Sequence, residues 1–386
     1  MVPKRLCIVT HTFLPHVGGI ERVVYEQGKR LLRRGFDVTV LTSKMHTANS
    51  YVVDGIKVRC YDSLNAAFDL GIPYPIPQIN SFKPFLKTVN ESDLVHVHGH
   101  PYLSSLYAAK LAKFLGKPVA LTQHNTFIEY GSGLWDHVEW LNDATVGKQA
   151  IKSADRVMAV SDATRRYVLS LGADPEKTSV LRNGVDTDRF KPSSASRVAV
   201  RWKLGIPHDA TVVLTVRRLV FKNGIDTLIE SAEIAVKQNP KLVFLAVGTG
   251  PDSESVQTRI RQLGFADKFR LAGFVSDADL PAFYNAADIF ALPSKSGEGL
   301  PLVALEAMST GLPVVATNIG GIREVLMGGC GTLVPAADPA EMAKAILEFS
   351  KTELSGIKST LRTVAERKFS WEANVKSLME IYEELI

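Results

Sequence analysis

Ser294-Lys295-Ser296-Gly297-Glu298-Gly299-Leu300-Pro301-Leu302-Val303-Ala304-Leu305-Glu306-Ala307-Met308-Ser309-Thr310-Gly311-Leu312-Pro313-Val314-Val315-Ala316-Thr317 can be read element by element. Just before it, Asp288 to Pro293 is an apolar run of strand length, and the Ser/Gly-rich segment after that run predicts a loop. Pro301 marks the start of a helix, because a fixed φ and a missing N–H are harmless only in the first turn; Gly311 and Pro313 end it, about ten residues later. Val314 to Ala316 then reads as a buried strand, and Asn318-Ile319-Gly320-Gly321 leads into a helix from Ile322. This repeated strand–loop–helix predicts an α/β fold. In such a fold the loops gather at the carboxyl ends of parallel strands, and helix N-termini turn backbone N–H groups into one crevice suited to an anion.

Glu298 lies on the predicted loop and Glu306 within the helix, and eight residues on a helix is roughly 80° off register. The two carboxylates are therefore not a same-face pair. At different depths of an anion-binding crevice they suit a ligand that carries hydroxyls beside its phosphates, such as a sugar nucleotide. The spacing from Glu298 to Glu306, with Gly299-Leu300-Pro301 after the first and Ala307-Met308 after the second, is similar to the E-x7-E signature of retaining glycosyltransferases of family 4. An ordinary Rossmann-like unit with a solvated Glu in its loop would give part of the same pattern.

At 386 residues the chain exceeds one typical core, so two domains are expected. A hydrophobic share of 46% and a charged share of 22% belong to a globular, water-soluble protein. Cys7, Cys60 and Cys330 are scattered, without metal spacing, which fits a reducing, cytoplasmic setting. No apolar run approaches the roughly 18 residues needed to cross a bilayer. The net charge of +5 lies in the first half: residues 1–190 hold 23 Lys+Arg against 18 Asp+Glu (23 − 18 = +5). A small excess serves solubility, and it would also suit an anionic acceptor or membrane surface; nothing points to nucleic acid.

Along the chain, a strand Arg5 to Thr10 runs into a loop ending at Gly18-Gly19, then a helix from Ile20 to about Arg34. The G-x-G-x-x-G dinucleotide fingerprint is absent, against an NAD enzyme. Two glycines at a helix start let backbone approach a phosphate, although a Gly pair is also an ordinary turn. Lys29, Arg30, Arg33 and Arg34 near the helix end would complement its dipole or contact a membrane surface. Gly71-Ile72-Pro73-Tyr74-Pro75-Ile76-Pro77 cannot form a helix or a central strand; it is either a packed surface loop or the lining of an acceptor groove. His96, His98 and His100 alternate on a strand without a carboxylate or Cys at ligand spacing, and Asp186-Thr187-Asp188 lies in a linker where Asp favours turns; neither predicts a metal. Arg217 and Lys222 straddle a loop at a strand end, where a planar fork and a mobile point charge would neutralise a diphosphate unless the loop is simply solvated.

The family resemblance runs from Gly18-Gly19 to Trp371. It implies the GT-B fold: two Rossmann-like domains facing a central cleft, over residues 1–188 and 189–368, with a terminal helix over 369–386 crossing back to brace the first domain. It further implies a nucleoside-diphosphate sugar as donor, a hydroxyl acceptor, and neither metal nor cofactor. Under it Gly18 and Gly19 close over the diphosphate, which Arg217 and Lys222 clamp as it departs. His124 hydrogen-bonds the donor sugar, while His98 and His100 line the acceptor side. Backbone near Val275 reads the base, Gly299, Leu300, Pro301 and Leu302 hold the sugar with Glu298, and Glu306 holds the ribose. Pro301 departs from the Gly of many relatives, which leaves the donor sugar open. A glycolipid or phosphorylated sugar at the inner membrane face is the acceptor class it suggests. The rivals are a sugar-nucleotide epimerase of the same fold, a phosphorylase, and a non-catalytic sugar-nucleotide-binding subunit.

Overall fold

The computed structural model describes every residue except 1–3, 46–47, 66–73, 327–328, 330 and 354. The chain divides into two units. The first comprises residues 1–127, 133–183 and 371–386, and the second residues 128–132 and 184–370. Against the expected division at 188/189, the break falls at Asn183/Gly184, and a short piece from the first half, residues 128–132, belongs to the second unit.

In the first unit the strands are β1 (Arg5–Val9), β2 (Asp37–Ser43), β3 (Ser50–Val53), β4 (Ile56–Tyr61), β5 (Ser63–Leu64), β6 (Ile76–Pro77), β7 (Leu94–His98), β8 (Val119–Gln123), β9 (Arg156–Ala159) and β10 (Thr178–Val180). Eight of them form one sheet in the order β10-β9-β8-β7-β1-β2-β4-β3, parallel except for β3. The order reverses between β1 and β7, which pair directly. In a parallel sheet covered on both faces by helices the strands are withdrawn from water, and β7 and β8 are buried at every residue, including His96 and His98. β5 and β6 pair separately as a two-residue ribbon, whose edge tolerates Pro77. Gly71 to Pro73 of that Pro-rich stretch lie outside the described residues.

The helix Trp371–Glu383 belongs to the first unit. Its Val375, Leu378 and Tyr382 enter the core formed by Leu6, Ile8, Val24, Leu31 and Met158. Asn374 bonds both Gln27 (3.0 Å) and the carbonyl of Arg182 (2.7 Å). Arg30 of the helix Gly19–Arg33 and Arg34 at its C-cap reach Glu372 of the terminal helix at 2.9 and 2.6 Å, and Arg30 also pairs with Glu26. The membrane reading of this basic helix end therefore gives way to a packing one for Arg30 and Arg34, which hold the terminal helix.

The second unit carries β11 (Thr211–Val216), β12 (Leu242–Val247), β13 (Phe269–Gly273), β14 (Ile289–Leu292), β15 (Val314–Thr317) and β16 (Gly331–Val334). They form one parallel sheet in the order β13-β12-β11-β14-β15-β16. Here the reversal lies between β11 and β14, paired at Val213–Ile289 and Leu214–Phe290. The helix after β14 runs Leu302–Ser309, with Pro301 at its N-cap rather than inside its first turn. No described helix is long and apolar enough to cross a membrane.

Candidate functional site

In an open parallel sheet, ligands bind beyond the carboxyl ends of the strands where the order reverses. In the second unit that rule selects the residues after β11 and β14, and they are joined there. Arg217 follows β11 and Ser294 and Glu298 follow β14. The guanidinium donates to Ser294 Oγ (2.7 Å), to Asn223 Oδ1 (2.8 Å) and to Glu298 Oε1 (2.9 Å). Ser294 in turn donates to the same carboxylate oxygen at 2.6 Å. The pair is largely withdrawn from water, with 7% of the Arg217 side chain and 15% of that of Glu298 exposed. Burial pulls the guanidinium below its ordinary value, and Glu298 opposes that shift. Arg217 Nε is buried with no protein acceptor. A buried N–H of this kind is seldom left unmet.

Lys222 lies on the single turn Phe221–Asn223, half-buried, and its carbonyl accepts the Lys295 N–H at 2.7 Å. Gly224 closes that turn at φ 69°, and a Cβ there would lie 1.9 Å from the Pro293 carbonyl oxygen. The loop after β11 can therefore press on the loop after β14 only because residue 224 has no side chain. Lys295 is engaged by Asp226 (2.5 Å) and lies over the Phe221 ring (4.2 Å). Residues 128–132 rest on the same loop: the Glu129 N–H donates to Ser296 Oγ (2.9 Å), and a Cβ at Gly297 would meet Ile128 at 2.8 Å.

Glu306 is 9% exposed, and its Oε2 accepts the Tyr284 hydroxyl at 2.7 Å. Gly299, Leu300 and Pro301 are buried beside Glu298, and Leu302 is half-buried at the helix start. Val275 is half-buried just past β13.

The first unit builds a second polar cluster at its own reversal point, from the loops after β1, β7 and β8. Gly18 takes an extended conformation at the N-cap, and a Cβ on it would sit 2.4 Å from a Glu21 carboxylate oxygen. A Cβ on Gly18 would displace the Glu21 carboxylate, whereas a Cβ on the exposed Gly19 would meet nothing within 4 Å. Glu21 is buried, accepts from the Thr12 hydroxyl, and lies 3.0 Å from His16 Nδ1 and 3.8 Å from His11 Nε2. Burial would raise its pKa, but the His16 hydrogen bond, the two imidazoles and Thr12 together bring it down to about 2.

His124 is 7% exposed, and its Nε2 is 2.9 Å from Nδ1 of His98, which is fully buried. Burial, helped by His11, lowers His124 to about 3, and burial holds His98 well below the ordinary range. Both are neutral at any physiological pH, so His124 can orient a ligand by hydrogen bonding but does not deliver a proton from an imidazolium. His96 bonds Tyr382 (2.6 Å) and Thr122 (2.7 Å). His100 bonds Asp143 (2.7 Å), which also accepts from Tyr167. With His98 at 0% and His100 at 2% exposure, neither lines a surface, contrary to the acceptor-lining expectation. Asp186 holds a turn, its Oδ1 accepting the Arg189 N–H at 3.0 Å.

Sequence reading missed Asn223, Tyr284, Thr12, Asp143 and Tyr167, whose spacings carry no motif. Glu21 was within reach, since the Gly18-Gly19-Ile20-Glu21 string shows a first-turn carboxylate directly after the glycine pair.

The family model "Glycosyl transferases group 1" matches residues 196–367, and "Glycosyltransferase Family 4" matches residues 17–189. The chain is 32% identical to a D-inositol 3-phosphate glycosyltransferase of Geodermatophilus obscurus, over 95% of this chain and 84% of that one. It is 26% identical to a phosphatidylinositol N-acetylglucosaminyltransferase chain of Arabidopsis thaliana, over 99% and 82%. Among solved structures, Anabaena HepE in complex with UDP-glucose superposes with a TM-score of 0.78 at 21% identity, covering 99% of this chain and all of that one.

Proposed function

The chain belongs to the glycosyltransferases of family 4 and has the GT-B fold; from that premise we propose that it is a metal-independent, retaining enzyme that transfers a hexose or N-acetylhexosamine from a nucleoside-diphosphate sugar. The observation that carries this reading is the buried Arg217–Ser294–Glu298 cluster at the strand-order reversal. Arg217, through the Nε that has no protein partner, and Lys222 would stabilise charge on the departing diphosphate. Glu298, fixed by two donors, would hold the donor hexose and favour an oxocarbenium-like transition state. His124 would orient the sugar as a neutral hydrogen-bond partner, and Glu306 would take the ribose hydroxyls. The acceptor hydroxyl attacks the anomeric carbon on the face the diphosphate leaves. The C1–O bond to phosphate breaks, the C1–O bond to the acceptor forms, and the acceptor's proton passes to the leaving phosphate.

For the acceptor we propose a phosphorylated inositol, free or as a lipid headgroup, on the strength of the relatives' names. A membrane face would be the exposed Ile79, Phe82 and Leu86 beside Lys83 and Lys87, where apolar and basic positions run in parallel on the helix Phe82–Glu91.

The first experiment is calorimetric titration with UDP, GDP, ADP and NAD in the presence of EDTA. One nucleoside diphosphate should bind without metal; binding of NAD alone, or of nothing, overturns the reading. The anomeric configuration of the product, followed by NMR, tests retention, and co-sedimentation with phosphatidylinositol vesicles against free inositol phosphate turnover separates the two acceptor forms.

A further inference from the structure

We propose that Tyr284 is a positioning residue that presents the Glu306 carboxylate to the ribose diol of the donor, and so sets how strongly the protein prefers ribonucleotides to nucleotides lacking that diol; this rests on the reading of Glu306 given above. Tyr284 lies on the short helix Leu280–Ala286, about two turns long, and is completely buried. Its ring is seated between Phe290 of β14 (centroids 5.7 Å, 28°) and Phe190 (5.5 Å, 90°). From that seat its hydroxyl reaches Glu306 Oε2 at 2.7 Å; a carbonyl, that of Val303, lies farther off at 3.4 Å.

A carboxylate on a two-carbon stem turns readily, and a ligand that must capture it in one orientation loses that freedom on binding. A ring packed on two sides cannot turn, and a phenol hydrogen bonded to an anion is among the stronger protein hydrogen bonds. The rigid partner therefore orders the flexible one before the nucleotide arrives. The phenol also stays a donor at every working pH, since burial, and then the neighbouring Glu306 charge, raise its pKa well above the ordinary range. Burial so complete leaves Tyr284 no surface of its own for the donor, so its influence must pass through Glu306.

The test compares the ribo and 2′,3′-dideoxy forms of UDP, GDP and ADP by calorimetry. The native protein should prefer the ribo form of its nucleotide, and Tyr284→Phe should shrink that preference by roughly tenfold while leaving dideoxy affinity unchanged. In a Glu306→Gln background the same substitution should change nothing further. Phe190→Leu, which loosens the ring's seat but keeps the hydroxyl, should lower Tm and shrink the preference less than Tyr284→Phe does. A Tyr284→Phe protein that discriminates as well as the native one overturns the positioning role. A native protein that does not discriminate overturns instead the assignment of Glu306 to the ribose. If Tyr284→Phe is too unstable to titrate, Phe190→Leu carries the test, and a preference undiminished when the ring's seat is loosened would overturn the proposal.

Discussion

At the scale of the residue, the centre of the second unit is a buried charge pair that each partner needs. Removing one member of such a pair leaves the other charged and out of water, at about 3–5 kcal/mol, whereas the pair itself contributes little net stability. Glu298→Gln is therefore expected to destabilise the second unit by a few kcal/mol and, in the proposed reaction, to lower kcat by at least ~100-fold. Chemical denaturation and donor-saturated kinetics measure the two effects separately. A variant that is destabilised yet turns over normally would make Glu298 a structural partner of Arg217 and no more. Glu298, Glu306, Arg217 and His124 were all legible as candidates, because each lies at a strand end or at a recognisable spacing. Their partners Ser294, Asn223 and Tyr284 were not: the bonds to Ser294 and Tyr284 cross 77 and 22 residues of chain, and the spacing of Asn223 from Arg217 matches no motif.

At the scale of the element, two loops meet through Gly224. A β-carbon there would overlap the Pro293 carbonyl, and the residue's φ of 69° is strained for any side chain. Gly224→Ala is expected to part the turn Phe221–Asn223 from the loop carrying Ser294, reducing donor affinity at least tenfold and stability by about 1–3 kcal/mol. Titration of the nucleoside diphosphate alongside thermal unfolding checks both. Most helices and strands were foreseeable from apolar runs bounded by Gly and Pro. The hairpin β3–β4 was not read, although Val53-Asp54-Gly55-Ile56 carries the Asp-Gly signal and both turn residues sit at positive φ. The grouping of residues 128–132 with the second unit had no sequence signal, because it depends on contacts with Ser296 and Gly297 far along the chain.

At the scale of the whole molecule, the two units are expected to differ in their response to acid. The first unit holds His96 and His124 at about 3 and His98 well below its ordinary value, all through burial. An unfolded His takes up its proton near 6.5, so between about pH 6.5 and 3 the unfolded chain binds more protons than the folded one. Stability from these groups is complete above about 6.5 and falls as the pH drops. Glu21, lowered to about 2, adds a loss that begins near 4.3. Unfolding of the first unit at pH 5 should take up about three protons, and its denaturation midpoint should fall from pH 7 to pH 5 more than that of the second. Equal shifts in the two units would show that the buried imidazoles are not the cause. The sequence alone determined the α/β class, two Rossmann-like halves, the likeness to family 4 and the identity of the charged candidates, because apolar periodicity, glycines and E-x7-E spacing are properties of short segments. Only the tertiary structure decided which candidates touch. Strand order is chosen by packing over the whole sheet: in the second unit, placing β14 against β11 brings Glu298 to Arg217 across 81 residues. In the first unit, the packing buries His98 against His124 and His100 against Asp143, and ties Arg30 and Arg34 to the terminal helix.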